Sequence, residues 1–154
     1  MKALFVTTMI AAATLASQVN AETFTSQIQP IPESTVRVGA PAPDGSPIVG
    51  TFSRSNVITT FADGHKATGT AACVLMTQPE HDSIFTAHRI CDLTLSDGTY
   101  TSISGCDYLN KDMTDTSCVG GLIGKTGAYA GRQGNYSTSS ISGKTVIIGQ
   151  WFDK

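Results

Sequence analysis

Residues 120–136 read GGLIGKTGAYAGRQGNY, with six glycines in seventeen positions and Tyr129 and Tyr136 between them. Glycine permits positive φ and close backbone approach, and it weakens helix and strand interiors. A spacing of three to four residues between glycines is too dense for a stable soluble helix. Small and aromatic residues between them suit a bent strand, a tight turn and a strand returning close by. A small barrel turns a corner in this way. Gly124-Lys125-Thr126 is also how a phosphate-binding P-loop ends, but that motif needs a glycine where Val119 stands, and a helix after it. Gly127, Gly131 and Gly134 argue against that helix.

The rest of the chain carries no convincing helical period. Apolar and β-branched runs recur instead at 48–60, 68–77, 82–95, 99–108, 118–123, 134–141 and 145–152. Turn signals fall at Asp63-Gly64, Ser96-Asp97-Gly98 and Ser142-Gly143-Lys144. Charged residues make up only 14% of the chain, while Thr, Ser and Gly are abundant, a mixture that favours strands and turns. The expected fold is all-β: a small closed antiparallel barrel of about eight strands, calycin-like, with a β-sandwich as the alternative. Closure removes both sheet edges and leaves an interior for side chains or one small ligand.

The first 21 residues read as a secretory signal peptide. Lys2 gives a positive start, an apolar stretch follows, and Val19-Asn20-Ala21 is a small-x-small cleavage site. The apolar stretch is too short to span a bilayer, so no transmembrane segment is expected after cleavage, and the destination is periplasmic or secreted. Residues 22–47 hold five prolines and read as an extended lead-in, with at most one short strand at 34–38. The barrel domain is then expected at 48–154. After removal of Lys2 the balance is nine basic to twelve acidic residues, with no basic stripe, so nucleic acid is not an expected partner. The four cysteines, Cys73, Cys91, Cys106 and Cys118, have no CxxC spacing, and an exported chain oxidises an even set. Of the three pairings, Cys73 with Cys91 and Cys106 with Cys118 is the one expected, the second closing a polar excursion at 107–117.

The run from Gly124 to Gly134, GKTGAYAGRQG, resembles the GGTGKYAGARG signature of the allene oxide cyclase and dirigent-type barrels, and is closest to small exported bacterial members of that superfamily. Asp82-Ser83-Ile84-Phe85 resembles their acidic-aromatic strand start, and Gly149-Gln150-Trp151 their late Gly-x-Trp. The likeness spans 82–152 in outline. Lys125 departs from it, standing where the family has its second glycine. The resemblance implies the barrel, and a barrel that self-associates. It also implies either a polar-lined lumen that shapes an apolar substrate or a non-catalytic lumen.

Alternation along 82–95 places His88 and Asp92 on one face, about 13 Å apart by strand rise, too far for a base and its orienting partner. Arg89 falls on the other, more apolar face. There it is a rim arginine with a wet head, or it is paired with a carboxylate, or it faces a ligand. No Gly-x-Ser-x-Gly elbow occurs, and His65, His81 and His88 lack metal-ligand spacing, so no metal or cofactor is expected. The candidate ligand contacts are His88, Arg89, Tyr100, Tyr129 and Trp151; catalytic residues are not identifiable. Three functions follow. The first is non-catalytic binding of a small apolar or amphipathic molecule in or at the mouth of the barrel. The second is a cyclase or isomerase working by positioning within it. The third is a self-associating surface protein. N-terminal sequencing of the exported protein is expected to begin at Glu22, and recovery with residues 1–21 attached would refute the leader.

Overall fold

A computed structural model describes residues 21–39, 50–77, 86–110 and 115–152; these form nine strands and no helix. In chain order they are β1 (Ala21–Pro30), β2 (Val36–Val38), β3 (Gly50–Phe61), β4 (Lys66–Thr77), β5 (Ala87–Leu95), β6 (Gly98–Tyr108), β7 (Thr116–Gly127), β8 (Gln133–Ile141) and β9 (Lys144–Phe152). The leader lies outside the described residues except Ala21, which already pairs with Phe152. The acidic-aromatic 82–85 segment and His81 lie outside them too.

Strands β3 to β9 form an antiparallel meander, and β1 closes it. One edge of β1 pairs with β9 from Ala21↔Phe152 to Gln27↔Val146; the other pairs with β3 from Phe24↔Phe61 to Pro30↔Ser55. Eight strands thus make a barrel, and the short β2 extends its rim along β3. This corrects the expected domain boundary: the barrel begins at β1 and not at residue 48, and the segment taken as a lead-in holds its closing strand. Proline content misled there, since Pro30 is only the last residue of β1. Upstream of it, Phe24, Ser26 and Ile28 alternate inward against Thr23, Thr25 and Gln27 in an ordinary strand pattern.

The register is steeply staggered. Followed round the barrel from Phe61, it passes Phe24, Gly149, Tyr136, Gly120, Ser104, Arg89 and Leu75 and returns to β3 at Thr51. Closing a barrel with tilted strands requires such a shear. Small residues interrupt this row at Gly149, Gly120 and Ser104, which leaves room for its large ones to cross the lumen. A side chain at Gly149, for example, would overlap the Phe24 ring.

The glycine-rich stretch is the β7–β8 connection. Gly127 (φ 61°) and Gly131 (φ 73°) flank Tyr129 in left-handed conformations. A Cβ on Gly127 would also run into the Asp97 carbonyl. The tight path is held by Ala128 N–H donating to Asp97 O (2.9 Å) and Arg132 N–H donating to Tyr129 O (2.9 Å). Lys125 is the extra residue of a β-bulge, since Thr99 faces Thr126 while Tyr100 faces Gly124. Its backbone is not left-handed, so a residue with a side chain fits there without the strain of a positive φ. Both expected disulfides are present, and each joins direct register partners: Cys73–Cys91 across β4 and β5, and Cys106–Cys118 across β6 and β7.

Replacing Gly127 or Gly131 with alanine in the oxidised protein is expected to cost about 1 kcal/mol or more, because a Cβ is strained at positive φ. Denaturant midpoints check this. Unchanged midpoints in both variants would show that the turn does not hold the barrel end.

Candidate functional site

The lumen has two unlike halves. At the end where β1 starts and β9 finishes, the β7–β8 turn folds Tyr129 inward as a plug, 1% exposed. Its ring centroid lies 5.0 Å from Tyr100 and 5.0 Å from Trp151. Tyr100 meets Trp151 edge-on at 5.1 Å, and Phe24 and Phe61 complete the cluster. Edge-to-face contacts at these separations suit the ring quadrupoles. The polar tips are also engaged. Tyr129 Oη donates to Asp97 Oδ2 (2.9 Å), and the buried Ser26 and Thr59 hydroxyls bond each other (2.9 Å). Outside the plug, the Arg132 guanidinium sits over the Trp151 ring (5.6 Å) and pairs with Glu22 Oε2 (2.6 Å), tying the turn to β1. Three of the expected ligand contacts, Tyr100, Tyr129 and Trp151, are therefore brought together, but against one another.

Above the plug lies a cavity of about 20 Å³, lined by Phe24, Ser26, Leu93, Tyr100, Ser102 and Tyr136 among others. That is room for roughly one water molecule. Tyr136 Oη is buried on its wall with no hydrogen-bond partner. Beyond it the lumen turns polar. Ser102 and Ser104 share the inward face of β6 with Cys106, and Thr138 faces in from β8. Arg89 lies on the inward face of β5, between Ala87 and Cys91. Register places it level with Ser104, so it sits between the levels of the two disulfides. Its Nε is buried without an acceptor, and none of the three ion pairs among the described residues involves it. Of the sequence alternatives for Arg89, the carboxylate-paired one is not met among these residues. The side chain as a whole remains only half-buried.

The remaining candidate, His88, faces away from the lumen. His88 is on the outer face of β5, as alternation required, opposite Met76 and Gly105. Asp92, two steps further, accepts from Lys125 Nζ (2.8 Å) and Thr101 Oγ1 (2.6 Å) on the solvent side. The Lys125 ammonium first, then the Thr101 hydroxyl, hold that carboxyl below its usual range. Gly124-Lys125-Thr126 is strand, and no helix follows it, so it cradles no phosphate. No group of three metal-ligating side chains occurs among the described residues. Sequence reasoning counts Tyr136 among the aromatic edges available to a pocket but not among the ligand contacts, and it passes over the serines of β6. The signal was the period of two that joins Ser102 and Ser104 to Cys106. Asp97 was read only as a turn residue, and nothing local marks it as the partner of Tyr129. The chain matches no protein-family model, and comparison with curated proteins gives no match.

Burial, followed by the nearby Asp97 carboxylate, pushes the Tyr100 hydroxyl up from the ordinary 10.0. Burial, then the hydrogen bond to Asp97, does the same for Tyr129. A tyrosine whose folded pKa is raised contributes stability that is complete below its unfolded value and is lost as pH rises past it. Denaturant midpoints are thus expected to fall from about pH 10 upward, less steeply in Tyr100→Phe. Equal pH slopes in the variant and the wild type would refute the assignment.

Proposed function

We propose that this protein is an exported barrel that binds a small amphipathic molecule at the disulfide end of its lumen, without catalysis. The observation that carries this reading is the division of the interior. One half is filled by packed aromatic rings, and the other is lined by hydroxyls, with Arg89 Nε lacking a partner there and Tyr136 Oη lacking one at the boundary between the halves. Buried polar atoms are normally satisfied, so unpaired ones facing a lumen are sites for something that enters it. A wholly apolar guest deep in the barrel is disfavoured, because the cavity beyond Tyr136 is only about 20 Å³. The same figure weighs against a cyclase or isomerase that must enclose its substrate there. Kinship with the allene oxide cyclase and dirigent-type barrels remains part of the proposal, supported by the closed eight-strand antiparallel barrel and the positive φ of Gly127 and Gly131. Two cross-strand disulfides suit an oxidising compartment, and a periplasmic or secreted location belongs to the same reading. The test is displacement of an environment-sensitive apolar dye from the oxidised protein, followed by native mass spectrometry of what co-purifies. Saturable displacement that Ser104→Leu weakens is expected; no saturable binding of any amphipathic probe would refute the reading.

A second reading, self-association, is favoured by the outer surface. Val36, Phe52, Val74, Ile90 and Ile103 are successive register partners across five strands. All but Phe52 are more than 40% exposed. A continuous apolar row of this kind marks a contact surface more often than isolated exposed side chains do. Sedimentation over a concentration series is expected to show association that Ile90→Lys abolishes. A strict monomer at every concentration would remove this reading.

A further inference from the structure

We propose that the lumen between the two disulfides takes an oxyanion, head inward, on the Arg89 guanidinium. This rests on the ligand-binding reading above and names the chemistry of the guest. The surroundings of Arg89 are neutral on every strand packed beside it. Leu75 faces it from β4 and Ser104 from β6, with Ala87 and Cys91 before and after it on β5. The carboxylates of the described residues are engaged elsewhere. Glu22 pairs with Arg132, Asp63 with His65 and Asp92 with Lys125. Asp97 takes the Tyr129 hydroxyl at the opposite end of the barrel, and Asp107 and Asp115 accept backbone N–H groups of Thr86 and Ser142. Glu33 is exposed in the connection between β1 and β2.

A cation in a partly desolvated, neutral wall is costly unless an anion joins it. The guanidinium is a planar fork of donors with no acceptor capacity, matched to carboxylate and sulfate oxygens.

Tyr136 supplies an independent second observation. It is 6% exposed, and its hydroxyl has no partner. Along the register row only Ser104 and Gly120 stand between it and Arg89, so no large side chain of that row divides the two. Both residues are on inward faces, so the lumen holds two unsatisfied donors, the Tyr136 hydroxyl on the wall of the cavity above the plug and Arg89 Nε at the register level of Ser104. The guest that completes them is an acceptor, and opposite the guanidinium it is a charged one. Its body is expected to extend toward the rim, since the aromatic plug fills the other half.

The experiment uses the full, oxidised protein and three probes of one size: hexanoate, hexyl sulfate and 1-hexanol. Affinities are read by calorimetry and by the shift in unfolding midpoint. At least one anion is expected to bind ten times or more tighter than the alcohol, and the better of the two distinguishes a carboxylate site from a sulfate-ester site. Arg89→Met is expected to erase the preference, and Tyr136→Phe to weaken anion binding several-fold. Arg89→Met should fold with an equal or higher denaturant midpoint, because the charge it removes has no ion-pair partner among the described residues. A marked fall in that midpoint would show that the protein itself holds the guanidinium, and would overturn the proposal. Equal binding of hexanol and the anions, unaltered in Arg89→Met, would overturn it while leaving the ligand-binding reading intact. Binding of none of the three would remove both.

Discussion

The fold depends on one strand being paired on both edges. Without β1, the meander from β3 to β9 is an open sheet with two long unpaired edges, each a template for further strands. β1 satisfies β9 along seven register positions and β3 along another seven. The interior then becomes a single enclosed space, and every inward residue acquires neighbours across it as well as beside it. Phe24 is the hinge of this arrangement. It pairs with Phe61 on one side and Gly149 on the other, and its ring fills the space that the glycine leaves.

Closure also explains why the two halves of the lumen differ. At one end the β7–β8 turn is tight enough to push Tyr129 inside, where it meets Tyr100 and Trp151 near 5 Å. Aromatic rings supply large buried area with few torsions to fix, so one inserted tyrosine closes that mouth without a separate lid. The other end is braced covalently. Of the two cross-strand disulfides, Cys73–Cys91 adjoins the main core, and Cys106–Cys118 lies beyond it in a small cluster with Ala87, Leu75 and Tyr108, where the facing side chains include serines and Arg89. Function is proposed at the end where the core is weakest, because there the disulfides keep the wall in place and leave the side chains free to meet a guest.

Much of this could be read in the chain. Apolar and β-branched runs between turn signals located β3, β4, β6, β8 and β9 to within about two residues, while β7 runs 116–127 and not 118–123, and β5 begins at 87. The cysteine pairs were anticipated, and the glycines about Tyr129 announced their turn. β1 was missed because the prolines of residues 22–47 were weighed above its alternation, although only Pro30 belongs to it, as its last residue. The candidate site was legible only in part. Arg89 stood out as a charge on an apolar face, while Tyr100, Tyr129 and Trp151 were chosen for ring chemistry alone and proved to be packing for one another.

The sequence by itself determined the strand class, the two faces of the strand at 87–95 and the turn at residues 127–131. These follow from local rules: alternation, β-branched content, and glycine where φ is positive. Only the tertiary structure decided which strand closes the barrel, which end is plugged, and which inward polar atoms lack partners. Those depend on shear, the stagger accumulated over eight strands. That stagger brings Arg89 of β5 into one row with Tyr136 of β8 and Phe24 of β1, and no local pattern encodes it, because it is fixed only when the last pair of strands meets.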